Sequence, residues 1–257
     1  MKNLSLIVLA FVSSFAIYAQ NTTREYYQLK TYSFTNDEQV KMTDAFLENA
    51  FLPALKRLGI SSVGVFKPRT VDSLTPKVTY VLIPFTTLSQ FEGLDAALEN
   101  DKLYRSSGKE YIEANHDNPP YQRIESTLLK AFVDMPRMQA SQLKGPRKDR
   151  IYELRSYESA TEALYRNKVD MFNAGGEVTL FDKLGFNAVF YAEVLSGSQM
   201  PNLMYMTTFS DQESRDAHWK SFVEAPEWNT LKEMPKYQNN VSRNDTRFLY
   251  PTEYSDY

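Results

Sequence analysis

The chain has 257 residues, with 29 lysines and arginines against 32 aspartates and glutamates, so its formal net charge is −3. That balance argues against a nucleic-acid-binding protein, which is expected to carry a basic surplus or patch. The sequence has no cysteine and two histidines, His116 and His218. Disulfides, cysteine-bound metal centres, cysteine nucleophiles and multi-histidine metal sites are therefore excluded, and we predict no metal site.

The first 19 residues have the pattern of a secretory signal peptide. Lys2 precedes an apolar run from Leu4 to Val12, and Ala19 places a small residue at the expected cleavage position. The run is shorter than the roughly 20 apolar residues that a membrane-spanning helix needs. We therefore predict an exported protein, periplasmic or secreted, that is not held in a membrane after cleavage.

The rest of the chain contains the same unit twice. Three segments recur in the same order at an offset of 125 or 126 residues, which indicates internal duplication of a domain-sized unit. The matched segments are 27–32 with 152–157, 55–60 with 181–186, and 79–81 with 204–206. We predict a first unit over residues 20–134, a linker over 135–149 and a second unit over 150–257.

The first unit has the pattern strand, helix, strand, strand, helix, strand. Residues 25–33 alternate and are rich in Tyr and Thr, as expected of a strand. Apolar residues at three- and four-residue spacing then predict a helix that begins at Thr35 or Asn36, is kinked by Pro53 and ends at Gly59. The later predicted elements are strands at 60–67 and 77–85, helical segments at 88–98 and 103–112, and a strand at 124–132.

The second unit repeats this plan. Its first helix runs to Gly185 but contains Gly175 and Gly176, which cost helix propensity. These glycines indicate either a kink that follows the barrel or an open mouth beside Glu177, and the sequence leaves both readings open. The later predicted elements are strands at 187–195 and 202–209, a helix from Asp211 to Phe222, a short helix from Pro226 and a strand at 241–250.

This element order predicts an α+β fold of two tandem ferredoxin-like (βαββαβ) units. Each unit leaves one face of its antiparallel sheet uncovered, so we expect the two sheets to pair into a pseudo-symmetric α+β barrel with the helices outside. Leu29 and Leu154 are expected to lie under the helices. Glu153, Arg155 and Tyr157 alternate with Leu154 and would then face into the barrel.

The strand at 152–157 resembles the opening motif of the NIPSNAP family, and its first-unit copy does so more weakly. The resemblance continues through most of the second unit, at 168–173, 184–190, 200–206, 215–220 and 226–228. It implies the fold of the dimeric α/β barrel group, which includes cofactor-free monooxygenases and haem-degrading enzymes, and implies no single reaction. The first unit has no counterpart of Trp219 or Trp228, so we expect any ligand site in the second unit.

Glu153 and Arg155 are the first candidate catalytic residues. We expect them to pair across the sheet with Glu193 or Tyr191. A buried carboxylate–guanidinium pair can orient a substrate or hold an acid with a perturbed pKa, and it can equally be a structural ion network. The candidate ligand-binding residues are Tyr157, Asn173, Glu177, Tyr191, Glu193 and Trp219.

His218 is the third catalytic candidate because it precedes Trp219 on a predicted helix. Haem-degrading relatives use a helix-borne histidine beside an aromatic residue, so the resemblance implies an axial ligand or base here; a half-exposed surface histidine is the alternative. No cofactor is predicted, with haem as the alternative. Met204 and Met206 indicate either core under the helices or a soft wall for an apolar ligand.

We therefore expect an exported NIPSNAP-like protein that binds a small, partly apolar ligand in or beside the barrel, with or without cofactor-free oxygenase-type chemistry. The alternative is a non-catalytic scaffold for a protein partner, whose polar interior is structural. Whether the protein is an enzyme stays open at this point. The oligomeric state also stays open, with a homodimer as one arrangement, and no nucleic-acid partner is expected.

Overall fold

The computed structural model describes residues 23–69 and 76–257, so the predicted signal peptide at 1–19 lies outside the described residues. The strands are β1 (Tyr26–Ser33), β2 (Gly64–Pro68), β3 (Val78–Phe85), β4 (Arg123–Ala131), β5 (Ile151–Glu158), β6 (Ala188–Ser196), β7 (Asn202–Phe209) and β8 (Arg243–Pro251). The helices are α1 (Asp37–Phe46), α2 (Leu52–Arg57), α3 (Leu88–Glu92), α4 (Leu94–Asn100), α5 (Lys102–Ser107), α6 (Lys109–Ile112), α7 (Glu162–Phe172), α8 (Glu177–Lys183), α9 (Gln212–Glu224) and α10 (Pro226–Glu233).

The eight strands close into one antiparallel barrel in the order β1-β3-β2-β8-β5-β7-β6-β4. The order β4-β1-β3-β2 in the first unit is repeated as β8-β5-β7-β6 in the second, as the duplicated ferredoxin-like pattern predicts. The two sheets join where β2 pairs with β8 and β4 pairs with β6. The predicted fold is therefore confirmed. Across the described part of the chain, no helix combines the length and the apolar character that crossing a membrane requires.

The helix boundaries follow from capping side chains and glycines. The side chain of Asn36 caps α1, and Thr161 caps α7 by accepting a hydrogen bond from a backbone N–H. Gly59 and Gly185 have φ values of +75° and +73° and lie just after α2 and α8. This left-handed conformation is cheap only for glycine, so the predicted helix ends are confirmed.

The two interruptions of the long helices take different forms. In the first unit a π-helical turn, Leu47–Phe51, precedes Pro53 and connects α1 to α2. In the second unit the chain leaves α7 and enters α8 through Gly176, whose φ is +85°. Glu177 is only 2% exposed, so the glycines break the helix and do not open a mouth beside this carboxylate.

The apolar core has three layers, and its middle layer corrects one prediction. Leu29 and Leu154 lie inside the barrel together with Met206, and Met204 packs against the same layer. We expected Leu29 and Leu154 under the helices, and core under the helices was one of the two alternatives for Met204 and Met206. The interior of an eight-stranded barrel is just wide enough to be filled by side chains. No helix of the described part of the chain reaches it to supply polar partners, so apolar residues occupy it. Glu153 instead faces the helices, where α9 supplies hydrogen-bond donors.

A one-residue shift separates the third strands of the two units. Lys30 of β1 pairs with Val81, whereas Arg155 of β5 pairs with Tyr205, so β3 and β7 correspond at an offset of 124. The sequence match of Tyr80 with Tyr205 is therefore wrong. Because side chains alternate along a strand, the shift places Tyr80 in the barrel and Tyr205 under the helices.

Candidate functional site

Glu153 is the centre of a buried cluster between β5 and α9, which we call the Glu153 cluster: Glu153, Arg155, Arg215 and Trp219. The Glu153 side chain has 0% exposure. Arg155 Nε donates to its Oε1 at 2.7 Å, and Arg215 donates through Nε at 2.9 Å and Nη2 at 3.0 Å. The indole N–H of Trp219 donates to Oε2 at 2.9 Å.

These contacts fix both the charge and the position of the carboxylate. Burial by itself raises the pKa of Glu153, but the hydrogen bond from Arg215 and the charge of Arg155 outweigh it and hold that pKa below its ordinary value. The guanidinium carbon of Arg155 also lies 3.9 Å from the centre of the Trp219 ring, within range of a cation–π interaction. An ionised carboxylate whose two oxygens already accept these bonds is arranged to hold α9 against the sheet.

Lys168 and Glu177 form a second buried ion pair under the same helices. Their side chains are 5% and 2% exposed, and Lys168 Nζ lies 2.8 Å from Glu177 Oε2. Burial raises the pKa of Glu177, while the Lys168 charge acts in the opposite direction. The ammonium also lies 4.7 Å from the ring centre of Phe172 and 5.5 Å from that of Tyr157. The pair joins α7 to α8 in an aromatic environment.

Two tyrosines extend the polar network from Arg155. The guanidinium donates to the Tyr157 hydroxyl at 3.2 Å, and the Tyr205 hydroxyl donates to the same oxygen at 2.8 Å. The Tyr191 ring lies 5.6 Å from that of Tyr205. Burial raises the pKa of both Tyr191 and Tyr205 well above 10, so these phenols remain protonated at neutral pH.

Two predicted ligand residues lie away from this network. Glu193 pairs with Arg24 and accepts a hydrogen bond from the Tyr165 hydroxyl at 3.4 Å, so the predicted pairing with Glu153 or Arg155 is wrong. Asn173 donates to the carbonyl of Val169 at 2.8 Å, and its side-chain oxygen accepts from a backbone N–H of the segment before β5. The polar groups of both side chains are therefore used in contacts within the fold.

His218 lies on α9 apart from Glu153. Its Nδ1 is 2.6 Å from the carbonyl oxygen of Ser214, and its ring packs against Phe186 and Phe209 at centroid distances of 5.9 and 5.4 Å. A Cβ added at Gly185 would lie 3.5 Å from Nε2. His218 is half-buried and does not line the cleft of about 590 Å³ described next, so this residue and that cleft do not form a haem site, and we derive no step through haem.

A cleft of about 590 Å³, the second-unit cleft, opens beside the barrel between α8, the start of β6 and the segment before β5. Of the predicted site residues, only Tyr191 lines it. Its walls include the aromatic residues Phe181, Phe186 and Tyr191, and its polar lining includes Asp134, Gln142, Asp182 and Asn187. By contrast, a cavity at one end of the barrel interior measures only about 90 Å³.

Arg215, Lys168 and Tyr205 complete the two networks and were not predicted as site residues. Arg215 precedes Trp219 by four residues on one helix, so the two share a face, and that spacing opposite a strand glutamate could have indicated the cluster. Lys168 adjoins Val169 on the predicted inner face of α7, where a charged residue needs a partner. Tyr205 was not predicted because the one-residue shift between the repeats places it on the opposite face of the sheet from Tyr80, its match in the sequence.

The fold and the buried networks define a class, a single-chain barrel of two ferredoxin-like units with a polar layer under the second unit's helices. Within that class, residues 152–256, nearly the whole second unit, match the NIPSNAP family model. No curated protein matches the chain in sequence.

Three solved structures share the whole two-unit architecture. A proposed monooxygenase from Fusobacterium nucleatum has 8% identity, with 90% of this chain and 93% of that chain covered and a TM-score of 0.57. A proposed monooxygenase from Lactobacillus acidophilus has 10% identity, with 89% of this chain and 94% of that chain covered and a TM-score of 0.56. An anthrone oxidase-like protein has 12% identity, with 89% of this chain and 92% of that chain covered and a TM-score of 0.51. At these identities the similarity shows the fold.

Proposed function

We propose that the protein binds a small, partly apolar molecule in the second-unit cleft, beside the barrel. The volume of that cleft carries the proposal, because about 590 Å³ lies within the range of roughly 300–1,000 Å³ that is usual for ligand sites. The interior cavity of about 90 Å³ is too small for such a ligand. Of the two locations that the sequence left open, the position beside the barrel is therefore favoured.

The lining favours a ligand that carries hydroxyl groups on an apolar body. Phe181, Phe186 and Tyr191 form an apolar floor behind the surface of the cleft and are 0%, 0% and 2% exposed. Asp134 and Asp182 are acceptors for ligand hydroxyl groups, and their negative charges disfavour an anionic ligand. Burial and the charge of Glu177 are the main causes of the raised pKa of Tyr191, and the charge of Asp182 adds to them. The Asp182 carboxylate is therefore near the Tyr191 phenol.

The reaction that we propose is cofactor-free oxidation of such a ligand by molecular oxygen. The support is the fold shared with two proposed monooxygenases and an anthrone oxidase-like protein. For an anthrone, one O₂ oxidises the central CH₂ to a carbonyl; one oxygen atom enters the product and the other leaves as water with the two hydrogens. Asp182 is the cleft carboxylate that we assign to accepting the first proton.

The test uses 1,8-dihydroxyanthrone as the probe, with binding and oxygen uptake measured separately. Thr179→Trp places a large ring at an exposed cleft position of α8 and is expected to abolish both. Asp182→Asn is expected to retain binding and lower oxygen uptake. Lys232→Trp, at an exposed position of α10, is the matched control. Equal binding by the wild type and Thr179→Trp would refute the site.

The non-catalytic alternative has its own support in the Glu153 cluster. Both oxygens of Glu153 accept bonds from Arg155, Arg215 and Trp219, so this fully buried carboxylate has a structural role. Binding of the anthrone without oxygen uptake above the protein-free rate would identify a binding protein. Failure to bind any hydroxylated aromatic compound would favour a scaffold for a protein partner.

Export and assembly are further parts of the proposal. The signal-peptide pattern at 1–19 supports export to the periplasm or the medium, and secreted protein beginning at Gln20 by mass spectrometry is the expected result. A single chain closes the barrel, because β2 pairs with β8 and β4 with β6. We propose a homodimer that uses helices or loops and not sheet edges; light scattering of the purified chain measures whether the dimer forms.

A further inference from the structure

One end of the barrel interior is polar, in contrast to the apolar middle layer. Four antiparallel pairings separate β1 from β5 around the barrel, so the two strands run in the same direction. Thr31 and Ser156 follow the inward-facing leucines of β1 and β5, so both units place a hydroxyl group at the same end. The cavity of about 90 Å³ lies at this end, and we call it the barrel-end cavity. Its polar lining includes Glu125, Ser156, Ser198, Asn202, Asp245 and Arg247.

Two carboxylates, Glu125 and Asp245, reach the barrel-end cavity from equivalent positions of the two units. Across the sheet, Glu125 is the partner of Thr31. Asp245 is the partner of Ser156, which corresponds to Thr31 at the offset of 125. The hydroxyl of Ser198 donates to Oε1 of Glu125. Each unit therefore contributes one carboxylate to the same small cavity.

Arg247 supplies the only cation in the described lining of the barrel-end cavity. Its Nη1 donates to the Tyr80 hydroxyl at 2.8 Å, and its Nε and Nη2 lie 2.9 and 2.7 Å from Oδ2 of Asp245. Burial raises the pKa of Tyr80, Arg247 acts against this rise, and the charges of Asp245 and Glu125 add to it. Both carboxylates are therefore near this hydroxyl, and one guanidinium faces two negative charges.

Asn202 adds a buried acceptor that has no donor. Its side chain shares the face of β7 that carries Met204 and Met206 into the barrel, and the residue is 3% exposed. Its Nδ2 donates to Oγ of Ser156 at 2.8 Å, whereas its Oδ1 has no hydrogen-bond partner within residues 23–69 and 76–257. Buried polar atoms are nearly always satisfied, so an acceptor left over here indicates a missing donor.

The turn between β6 and β7 limits the size of that donor. Gly197 and Ser198 of this turn line the cavity. A Cβ added at Gly197 would lie 3.0 Å from Cγ2 of Thr127, so the turn packs directly on β4. The volume of about 90 Å³ is about three times the roughly 30 Å³ that one water molecule occupies in the liquid, which leaves room for a ligand of a few non-hydrogen atoms.

We propose that the barrel-end cavity binds a small primary ammonium ion, whose N–H groups donate to Glu125, Asp245 and Oδ1 of Asn202. Two carboxylates against one guanidinium favour a cation over an anion. The unsatisfied amide oxygen favours a cation that carries hydrogen-bond donors, and an ammonium group has three. This cavity is separate from the second-unit cleft, so the proposal does not depend on the proposed function.

Titration of the full chain with methylammonium chloride, followed by ligand-observed NMR, tests the proposal. Tetramethylammonium chloride is the control ligand, because it has the same charge but no N–H donor. We expect saturable binding of methylammonium and at least about tenfold weaker binding of tetramethylammonium, the factor expected for a lost charged hydrogen bond. Sodium chloride holds the ionic strength constant, so that the screening of charges does not change during the titration.

Glu125→Gln removes one negative charge at an exposed position and is expected to weaken methylammonium binding at least about tenfold. Glu110→Gln, at an exposed position of α6, is the matched control and should bind like the wild type. Thr179→Trp, in the second-unit cleft, should also leave this binding unchanged. No saturable binding by the wild type, the result expected of a cavity that holds only water, would overturn the proposal. Equal binding by the wild type and Glu125→Gln would do the same.

Discussion

Replacing Glu153 by glutamine removes one negative charge from a site with no solvent access and is expected to destabilise the second unit strongly. Oε1 contacts Arg155 Nε, Arg155 Nη2 and Arg215 Nη2, and Oε2 contacts Arg215 Nε and Trp219 Nε1. A glutamine keeps one oxygen and turns an NH₂ group toward donors on the other side. Two arginines then share a site that has lost its buried counter-charge, and Arg215 keeps its contact of 2.9 Å with Asp216, whose side chain is 58% exposed.

The magnitude follows from these contacts. Breaking a buried ion pair by removing one partner costs about 3–5 kcal/mol, and a lost hydrogen bond to a charged group costs about 1.5–3 kcal/mol. We expect Glu153→Gln to lower the free energy of unfolding by about 3–5 kcal/mol. In the double variant with Arg215→Gln, the loss should be smaller than the sum of the two single losses, because the second substitution removes an unpaired charge.

Urea unfolding at pH 7, followed by tryptophan fluorescence, measures this change in the relevant unit, because both tryptophans of the chain, Trp219 and Trp228, lie in the second unit. The control is Glu233→Gln, at an exposed position of α10, which should change the free energy of unfolding by less than about 0.5 kcal/mol. A loss below about 1 kcal/mol for Glu153→Gln, or additive losses in the double variant, would refute the described network.

Three further predictions concern the same two units. Lowering the pH from 6 to 3 should destabilise the wild type more than Glu153→Gln, as measured by the midpoints of urea unfolding. Folding lowers the pKa of Glu153, so the contribution of this carboxylate to stability is complete above its ordinary pKa and is lost as the pH falls through the lowered value. Lys168→Met and Glu177→Gln should each cost about 3–5 kcal/mol by urea unfolding, while Lys168→Met combined with Glu177→Leu should recover most of that loss. Gly59→Ala, with open space around its added Cβ, should cost about 1–2 kcal/mol from backbone strain alone, and Gly185→Ala at least as much; a melting temperature unchanged in both would contradict their left-handed conformation.

The fold was predictable because its signals are local and repeated. Alternation in residues 25–33 and 151–157, three- and four-residue apolar spacing in the helices, and the glycines at 59 and 185 each specify an element or its end. The recurrence of these signals at a nearly constant offset then gives the duplication. The pairing of the two sheets follows from the need of each unit to cover its second sheet face.

The site was only partly predictable because an alternating strand has two faces and the sequence does not label them. Glu153 and Leu154 were assigned to the wrong faces on the assumption that the layer under the helices must be apolar. That assumption failed because Arg215 and Trp219 make a charged residue acceptable there, and these donors lie more than 60 positions from Glu153. For contacts of that separation the sequence carries a weak signal, here the four-residue spacing that places Arg215 and Trp219 on one face of α9.

The comparison between the repeats separates what the barrel requires from what one unit adds to it. Both units form the same strand order, yet the first does so with Gln28 and Lys30 where the second has Glu153 and Arg155. The Glu153 cluster is therefore not a condition of the fold, since the first sheet pairs and packs without it. In the second unit the cation, Arg155, is neutralised within the chain by Glu153. In the first unit the ammonium of Lys30 lies 5.4 Å from the ring centre of Phe51 and 5.6 Å from that of Tyr32, so the same cationic position is surrounded by aromatic rings in one unit and paired with a carboxylate in the other.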